Sequence, residues 1–184
     1  ACAGSGKSTT VLSMAKILNR RKFLQVTYNS LLRHEVKDTI NSLKIKNIKV
    51  HTYHSLAVRY YLSNSYTDSG IRRILHTDMP PRENIDHIDV LVIDEAQDMT
   101  LLYFSLIIKL LRDFGKKIQL VVLGDYKQGL YDFKGSDIRF LTKSDEIWSG
   151  SQFLKNPRKF IKNSLKMSYR ITNPIKSFVN TVML

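Results

Sequence analysis

The chain begins with a short segment rich in glycine, followed directly by a lysine and a serine. Residues 1–8 read ACAGSGKS, and four positions match the end of the pattern G-x-x-x-x-G-K-[ST]: Gly4, Gly6, Lys7 and Ser8, with Ala1 where the first glycine is usual. Glycines allow such a loop to curl so that backbone N–H groups point at phosphate oxygens. We therefore predict a phosphate-binding loop, in which Lys7 reaches the β- and γ-phosphates and the Ser8 hydroxyl binds Mg²⁺. The alternative is a Gly-Ser turn that caps a helix, with an incidental lysine.

Two adjacent carboxylates follow a run of four apolar residues near the middle of the chain. The run, residues 90–93, is continuous, as in a parallel strand that is buried on both faces, and Asp94 and Glu95 come directly after it. Ligands of open α/β sheets bind at the carboxyl ends of the strands. We predict that Asp94 binds Mg²⁺ and that Glu95 orients or deprotonates the attacking water. The alternative is that Asp94 or Asp98 caps the next helix.

A third polar cluster follows a second apolar run, residues 118–123, and a break at Gly124. Gln128 can both donate and accept hydrogen bonds, which suits a side chain that senses a γ-phosphate. Phe133 and Lys134 place an aromatic ring beside a base, a composition typical of a loop on which unpaired bases stack. The alternative for the aromatic residues here is burial in the core, which we expect for Tyr131.

Length and composition limit the classes of protein that the chain can represent. Its 184 residues leave room for one compact domain, and a hydrophobic share of 43% argues against disorder. The single cysteine, Cys2, excludes a disulfide framework and a metal site built on cysteines. The longest apolar stretch, residues 101–111, is too short to cross a bilayer. With no signal peptide in the sequence, we expect an intracellular protein, and the nucleus and the cytoplasm fit equally well.

The charge is strongly positive and unevenly distributed. The chain carries 29 Lys and Arg against 16 Asp and Glu, a formal net charge of +13. Residues 1–50 hold 10 bases and 2 acids, residues 51–150 hold 12 bases and 14 acids, and residues 151–184 hold 7 bases and no acid. Basic flanks around an acid-containing centre favour a polyanionic partner, although a solvated basic surface gives the same pattern.

Helical and extended patterns alternate along the chain, which indicates an α/β fold with a parallel sheet. We predict strands at residues 23–28, 48–52, 90–93 and 118–123, and helices at residues 8–20, 31–43, 54–62 and 100–114. Residues 63–87 are polar, contain Pro80 and Pro81, and are predicted to form a loop or small insertion. Residues 134–163 are predicted to be irregular or short-helical, followed by a strand at 165–168 and a helix from Thr172.

The three polar blocks, in this order and at these spacings, resemble those of a superfamily 1 DNA helicase of the UvrD/Rep type. Further segments agree with the motifs of that family: Tyr28-Asn29 is similar to motif Ia, TYHSLA at 52–57 to motif Ib, DEAQD at 94–98 to motif II in its helicase form, GDYKQGLY at 124–131 to motif III, and LKMSYR at 165–170 to motif IV. The resemblance spans essentially the whole chain. Because residues 58–89 are too few for the large accessory domain of UvrD and Rep, the layout is closer to compact members such as F-box DNA helicases.

The resemblance implies an ATP-dependent helicase or translocase that couples Mg-ATP hydrolysis to movement on single-stranded DNA, and it favours the 3′ to 5′ direction. It implies nucleotide contacts from Ala3, Gly4, Ser5, Gly6, Lys7, Ser8 and Thr9, metal ligands Ser8 and Asp94, and catalytic residues Glu95, Gln128 and Arg170. It implies DNA contacts from Tyr28, Asn29, Thr52, His54, Phe133 and Lys134. From the residues alone, a helix cap remains open for Thr52 and His54, and a surface ion pair for Arg170.

The resemblance also implies a three-layer P-loop NTPase (RecA-like) domain that is incomplete at both ends. We expect residues 1–184 to form the first of two RecA-like domains, with a small insertion at about 63–88 and the start of the link to the second domain at about 164–184. The strand before the phosphate loop, the adenine-recognising segment and motifs V and VI are not in this sequence. We therefore expect that the polypeptide alone does not unwind DNA. Two other classes remain open, a P-loop ATPase of another class and a non-catalytic nucleic-acid-binding module.

Overall fold

Parallel strands and helices alternate along the chain, and the predicted α/β class is confirmed. The computed structural model describes residues 4–82, 87–114, 118–128, 135–149, 160–165 and 167. Its strands are β1 (Phe23–Thr27), β2 (Ile48–Thr52), β3 (Val90–Ile93) and β4 (Gln119–Val122). Its helices are α1 (Lys7–Ile17), α2 (Ser30–Ser42), α3 (Tyr53–Tyr60), α4 (Asp68–His76), α5 (Leu101–Phe114), α6 (Arg139–Thr142) and α7 (Ser144–Ile147). Short 3₁₀ turns cover Ala96–Asp98 and Tyr126–Gln128.

The four strands form one parallel sheet in the order β2-β1-β3-β4. The register pairs Val26 of β1 with His51 of β2 on one side and with Ile93 of β3 on the other. Since all strands run in the same direction, the residues that follow them lie along one edge of the sheet. This edge, which we call the carboxyl edge, holds the described residues that the sequence predicts to be functional.

The two faces of the sheet are covered by different helices, which gives three layers. One face carries apolar side chains of α1 and α2, including Val11 and Ile40, packed against the sheet residues Val50 and Val92. The opposite face packs α3, α4 and α5 against side chains that include Leu24, Val26, Leu91 and Ile93. The central strand β1 is buried along its whole length, as a parallel strand between two helical layers must be.

Two outer details differ from the sequence expectations. The strand predicted at 118–123 is the outer strand β4 and is only half-buried, because β3 lies on one side of it alone among the described residues. The stretch 63–87, predicted to be a loop or small insertion, contains helix α4. Ile71 and Ile74, three residues apart, are completely buried and hold this helix on the core. Within the described residues, no helix has the length and apolar character needed to span a membrane.

Several predicted segments fall on residues outside the described part of the chain. They include Ala3, Tyr131, Phe133, Lys134 and Arg170, two of the four residues of the predicted strand at 165–168, and the predicted helix from Thr172. These remain predictions from the sequence.

Candidate functional site

The carboxyl edge brings together segments that are far apart in the sequence. The loop before α1, the Asp94-Glu95 pair after β3 and the segment after β4 all meet there. The backbone connects the last two directly, since Ala96 N–H donates to the Leu123 carbonyl oxygen over 2.9 Å. Asp94 N–H donates to the carbonyl oxygen of Val26 in β1 over 2.8 Å. The parallel ladder therefore continues one step past the strands and fixes where the two carboxylates emerge.

The loop before α1 has the backbone conformation that its glycines permit. Gly4 and Gly6 adopt positive φ angles of 66° and 86°, which an L side chain would make strained. Gly6 precedes the first residue of α1, and its carbonyl oxygen accepts a hydrogen bond from Thr10 N–H over 2.8 Å. Lys7, the first helical residue, is 9% exposed, whereas Ser8 and Thr9 are exposed. The N-terminus of α1 thus has free N–H groups at the carboxyl edge.

Lys7 and Glu95 form an ion pair across the site, with Lys7 Nζ 3.4 Å from Glu95 Oε1. Glu95 has a left-handed backbone conformation, with φ 53° and ψ 49°, which is uncommon for a residue that is not glycine. This conformation turns the chain sharply at the end of β3. It aims the Glu95 side chain toward the loop before α1 and away from the direction of the strand.

Asp94 is buried, and both of its carboxylate oxygens are hydrogen-bonded. Oδ2 accepts from Nε2 of Gln25 over 2.9 Å, and Oδ1 accepts from the backbone N–H of Glu95 over 3.1 Å. Gln25 lies in the middle of β1 and is completely buried. Its amide therefore orients the carboxylate from the neighbouring strand.

Gln97 connects the turn after β3 to the segment after β4. Its Nε2 donates to Glu95 Oε2 over 2.7 Å, and its Oε1 accepts from the backbone N–H of Asp125 over 3.0 Å. Gly124 packs so closely that a Cβ there would lie 2.5 Å from Gln97 Oε1. Gln128 is half-buried in the 3₁₀ turn that follows, and its N–H donates to the Asp125 carbonyl oxygen over 3.0 Å. A continuous hydrogen-bonded path thus joins Glu95 to the turn that carries Gln128.

Negative charge accumulates at this edge. Burial, and next the charge of Glu95, raise the pKa of Asp94 to about 6, although the Lys7 ammonium opposes the shift. Burial and Glu95 likewise raise the pKa of Asp98 to about 6. Lys7 is therefore shared by three carboxylates, and it compensates them only in part.

Several buried polar atoms around this edge have no hydrogen-bond partner within the described structure. They are Ser5 Oγ in the loop before α1, Gln25 Oε1 and Thr27 Oγ1 on β1, and Asp98 Oδ1 after β3. Buried polar groups are almost always paired in folded proteins. These atoms are therefore available to form hydrogen bonds with a ligand at this edge.

Among the described residues, those expected to face DNA lie at the ends of β1 and β2. Asn29 caps α2, since its Oδ1 accepts from Leu31 N–H over 2.8 Å. Thr52 caps α3 in a reciprocal arrangement with Ser55. Nε2 of His54 lies 3.0 Å from Asp68 Oδ1, and the Tyr28 ring meets the Tyr103 ring edge to face at 6.1 Å. In this structure Thr52 is thus a helix cap and His54 is paired with Asp68, which are the contacts of the alternative left open from the residues alone. Asn29 is a helix cap as well.

Sequence reasoning did not identify two residues that organise the site. Gln25 was not singled out, although a lone amide in the apolar strand FLQVT is a signal that a polar partner lies across the sheet. Gln97 lies within the motif II segment DEAQD, and its link to Asp125 depends on how β3 and β4 are placed in space. Among the described residues, no group of three His, Cys, Asp or Glu side chains is arranged to hold a metal ion.

Comparison with known proteins gives two matches. The model of a family described as "AAA domain" matches residues 1–134. The RecBCD enzyme subunit RecB of Borreliella burgdorferi is 25% identical over 169 residues, which cover 90% of this chain and 12% of the relative. The chain thus spans about an eighth of the length of that relative, and the similarity agrees with the helicase resemblance drawn from the motifs.

Proposed function

The chain belongs to the AAA domain family, and from this premise we propose that it forms the ATP-binding RecA-like domain of a helicase or translocase that moves on single-stranded DNA. The proposal is supported by the family match over residues 1–134 and by the similarity to the RecB subunit, which covers 90% of the chain. ATP use follows at the level of the family. Magnesium, DNA and the 3′ to 5′ direction belong to the proposal.

The observation that carries the proposal is the contact between Lys7 and Glu95. These side chains come from the loop before α1 and the turn after β3, yet Nζ and Oε1 are 3.4 Å apart. A phosphate-binding lysine and a general base must approach the same terminal phosphate from two sides. The contact supports that arrangement, because the Lys7 ammonium and the Glu95 carboxylate already lie next to each other.

The donors at the carboxyl edge suit a nucleotide with Mg²⁺. Mg²⁺ in nucleotide sites is held by one or two carboxylates together with phosphate oxygens and water. Asp94 supplies a carboxylate whose pKa is raised by burial and, next, by the charge of Glu95, and Ser8 supplies an exposed hydroxyl at the start of α1. The unpaired Ser5 Oγ offers a further hydrogen bond to a phosphate. When bound, Mg²⁺ would neutralise charge on the phosphates that develops during phosphoryl transfer.

The protein side chains then have distinct parts in the reaction. Gly4, Gly6 and the N–H groups of the first turn of α1, with Thr9 beside them and Ala3 before them, surround the phosphates. Lys7 leaves Glu95 for the more negative phosphate, and this frees the Glu95 carboxylate to accept a proton from water. Gln128 senses the γ-phosphate, and Arg170 reaches it, as the resemblance of LKMSYR to motif IV implies. We propose that residues 1–184 form the first such domain.

The DNA strand would cross the ends of β1 and β2. Tyr28, Asn29, Thr52 and His54 lie at this part of the carboxyl edge, and the sequence adds Phe133 and Lys134 from the segment after Gln128. Because Gln97 ties Glu95 to Asp125, the ATP site and the segment that leads to Phe133 share one hydrogen-bonded path. Since its substrate is DNA, the protein would act inside the cell.

The proposal is tested by ATP hydrolysis with and without single-stranded DNA. Wild-type full-length protein should hydrolyse ATP with Mg²⁺, and an oligodeoxynucleotide should raise the rate; Lys7→Ala should abolish both rates. Lys16→Ala, at the other end of α1, is the matched control. Stimulation by RNA but not by DNA would favour a P-loop ATPase of another class, and DNA binding without any hydrolysis would favour a non-catalytic binding module.

A further inference from the structure

Four basic side chains from three elements surround the outer strand β2. Arg33 and Lys37 lie one turn apart on α2, Lys49 lies on β2 itself, and Arg59 lies in the last turn of α3. We call these four residues the β2 basic cluster. Lys49 and Arg59 are exposed, and Arg33 and Lys37 are half-buried. The cluster lies beside the part of the carboxyl edge that carries Thr52.

Contacts at β2 hold this arrangement in place. Arg33 Nε donates to the Val50 carbonyl oxygen over 3.3 Å, so that the side chain covers the outer side of the edge strand. Nδ1 of His51 lies 3.2 Å from Ser55 Oγ, and its ring meets the Tyr60 ring edge to face at 6.1 Å. The imidazole is therefore fixed between β2 and α3, in the middle of the cluster.

The positive charges of the cluster affect the pKa of the His51 imidazole. Burial, and then the charges of all four cluster residues, lower the pKa of His51 to about 4. The charges of all four cations thus act on the half-buried imidazole of His51. They keep that imidazole neutral, so it does not add to the charge of the surface at neutral pH.

Within the described part of the chain, Arg33, Lys37 and Arg59 form no ion pair with a carboxylate. The first fifty residues contain ten bases and only two acids, Glu35 and Asp38. Several bases elsewhere are paired: Lys109 contacts Asp78 and Asp113, and Arg139 contacts Asp137. Arg33, Lys37 and Arg59 are therefore three neighbouring cations that no carboxylate of the described residues neutralises.

We propose that the β2 basic cluster binds backbone phosphates of the same DNA strand, as an extension of the path over Thr52 and His54. This inference rests on the proposed function. Thr52 follows His51 directly, and Arg59 lies seven residues along α3, about 10 Å at 1.5 Å per residue. That span fits two or three successive phosphates. The cluster has no aromatic face exposed for stacking, so it would strengthen binding without reading sequence.

The test compares two triple variants with the same loss of charge. Arg33→Gln/Lys37→Gln/Arg59→Gln removes three cations of the cluster. Lys16→Gln/Arg20→Gln/Lys22→Gln removes three exposed cations near the opposite edge of the sheet, where α1 ends and β1 begins. Affinity for a fluorescent oligothymidylate is measured by anisotropy over a range of NaCl concentrations with the full-length protein. Each phosphate contact on a single strand contributes a slope of about −0.7 to log K against log salt.

We expect the cluster variant to bind about tenfold more weakly at low salt and to lose roughly 2 from the slope, since three contacts are removed. The control variant should retain the wild-type slope, and ATP hydrolysis without DNA should be unchanged in both. Lys37→Gln/Arg59→Gln leaves the Arg33 contact with Val50 intact and should give about two thirds of the effect.

Equal slopes for the cluster and control variants would overturn the inference. If that result came with tight DNA binding by the wild type, the cluster alone would be excluded as a contact. If the wild type bound no DNA and its hydrolysis did not respond to DNA, the proposed function itself would fail.

Discussion

The side-chain oxygen of Gln97 accepts a hydrogen bond from the backbone N–H of Asp125 over 3.0 Å, and this contact joins the turns after the two neighbouring strands β3 and β4. The other end of the same amide donates to Glu95 over 2.7 Å. One side chain therefore fixes the position of the proposed general base relative to the segment that carries Gln128. Because both hydrogen bonds involve the same planar amide, a displacement of either turn should displace the other.

Removing this amide should uncouple the two turns. Gln97→Leu leaves the buried Asp125 N–H without its partner, so we expect the free energy of unfolding to fall by about 1–3 kcal/mol. The rate of ATP hydrolysis should fall while nucleotide affinity changes little. Urea denaturation and steady-state kinetics measure the two effects.

Gln97→Glu separates stability from catalysis at the same position. It retains an oxygen that can accept from Asp125, but it loses the donor to Glu95 and adds a negative charge. Stability should therefore suffer less than in Gln97→Leu, whereas hydrolysis should suffer at least as much. A Gln97→Glu enzyme with normal turnover would show that the bond to Glu95 is dispensable.

Close packing at Gly124 gives a second prediction. A Cβ at this position would lie 2.5 Å from Gln97 Oε1 and 2.7 Å from Leu141 Cδ2. Gly124→Ala should therefore reduce the free energy of unfolding by about 1–3 kcal/mol through overpacking. In a Leu141→Ala background, which opens space on one side, the same substitution should cost less. Additive costs in this double-mutant cycle would exclude the clash with Leu141.

The sequence predicts the sheet well and the polar contacts across it poorly, for a physical reason. Continuous apolar runs such as Val90–Ile93 have few structures available other than a buried parallel strand. Helix α4 was missed because its two buried residues, Ile71 and Ile74, are surrounded by polar ones. The bond between Gln25 and Asp94 depends on the order and register of β1 and β3, which neither local sequence encodes. The sequence therefore does not identify Asp94 as the partner of Gln25, which depends on β1 and β3 lying side by side.

That bond gives a third prediction, on magnesium. Gln25→Leu keeps the strand and its volume but leaves Asp94 Oδ2 without its donor. Groups that orient a metal ligand typically contribute about 10- to 100-fold in metal affinity. We expect the Mg²⁺ concentration for half-maximal ATP hydrolysis to rise by about tenfold, with much of the rate recovered at saturating Mg²⁺. Gln119→Leu, on the exposed start of β4, is the control, and an unchanged Mg²⁺ dependence in Gln25→Leu would exclude this role.

Asp89 gives a prediction on acid stability at the opposite edge of the sheet. Its carboxylate accepts from Lys22 N–H over 2.8 Å and pairs with Arg21 and His87 at 3.2 Å. The Lys22 hydrogen bond first, and then these side chains, lower its pKa. Because the folded pKa lies below the unfolded value near 4, the stabilisation is complete above that pH and is lost as the pH falls through the folded value.

Asp89→Asn should therefore lower stability at pH 7 by about 1–2 kcal/mol and flatten the loss of stability below pH 4. Denaturation midpoints measured between pH 2.5 and 7 give both quantities. Asp38→Asn, an exposed carboxylate on α2, is the control and should follow the wild-type curve. Parallel curves for Asp89→Asn and the wild type would contradict the prediction.

The last prediction concerns the ion pair on which the proposed function depends. Glu95→Gln removes the charge that holds Lys7 and the group that would accept the proton from water. Lys7 then has no anionic competitor at Oε1, so ATP should bind at least as tightly as in the wild type. Hydrolysis should fall by about 10²- to 10⁴-fold, the usual contribution of a general base. Calorimetric titration with Mg-ATP and single-turnover kinetics measure the two quantities separately.

Glu35→Gln, which removes an exposed carboxylate from α2, is the matched control and should leave binding and turnover unchanged. Lys7→Ala should differ from Glu95→Gln in that ATP binding is weakened as well as turnover. If Glu95→Gln hydrolysed ATP at the wild-type rate, Glu95 would not be the base, and its contact with Lys7 would be a structural ion pair. Weaker ATP binding by Glu95→Gln would contradict the proposal that Lys7 leaves Glu95 when the nucleotide binds. It would mean that Glu95 helps Lys7 to reach the phosphates.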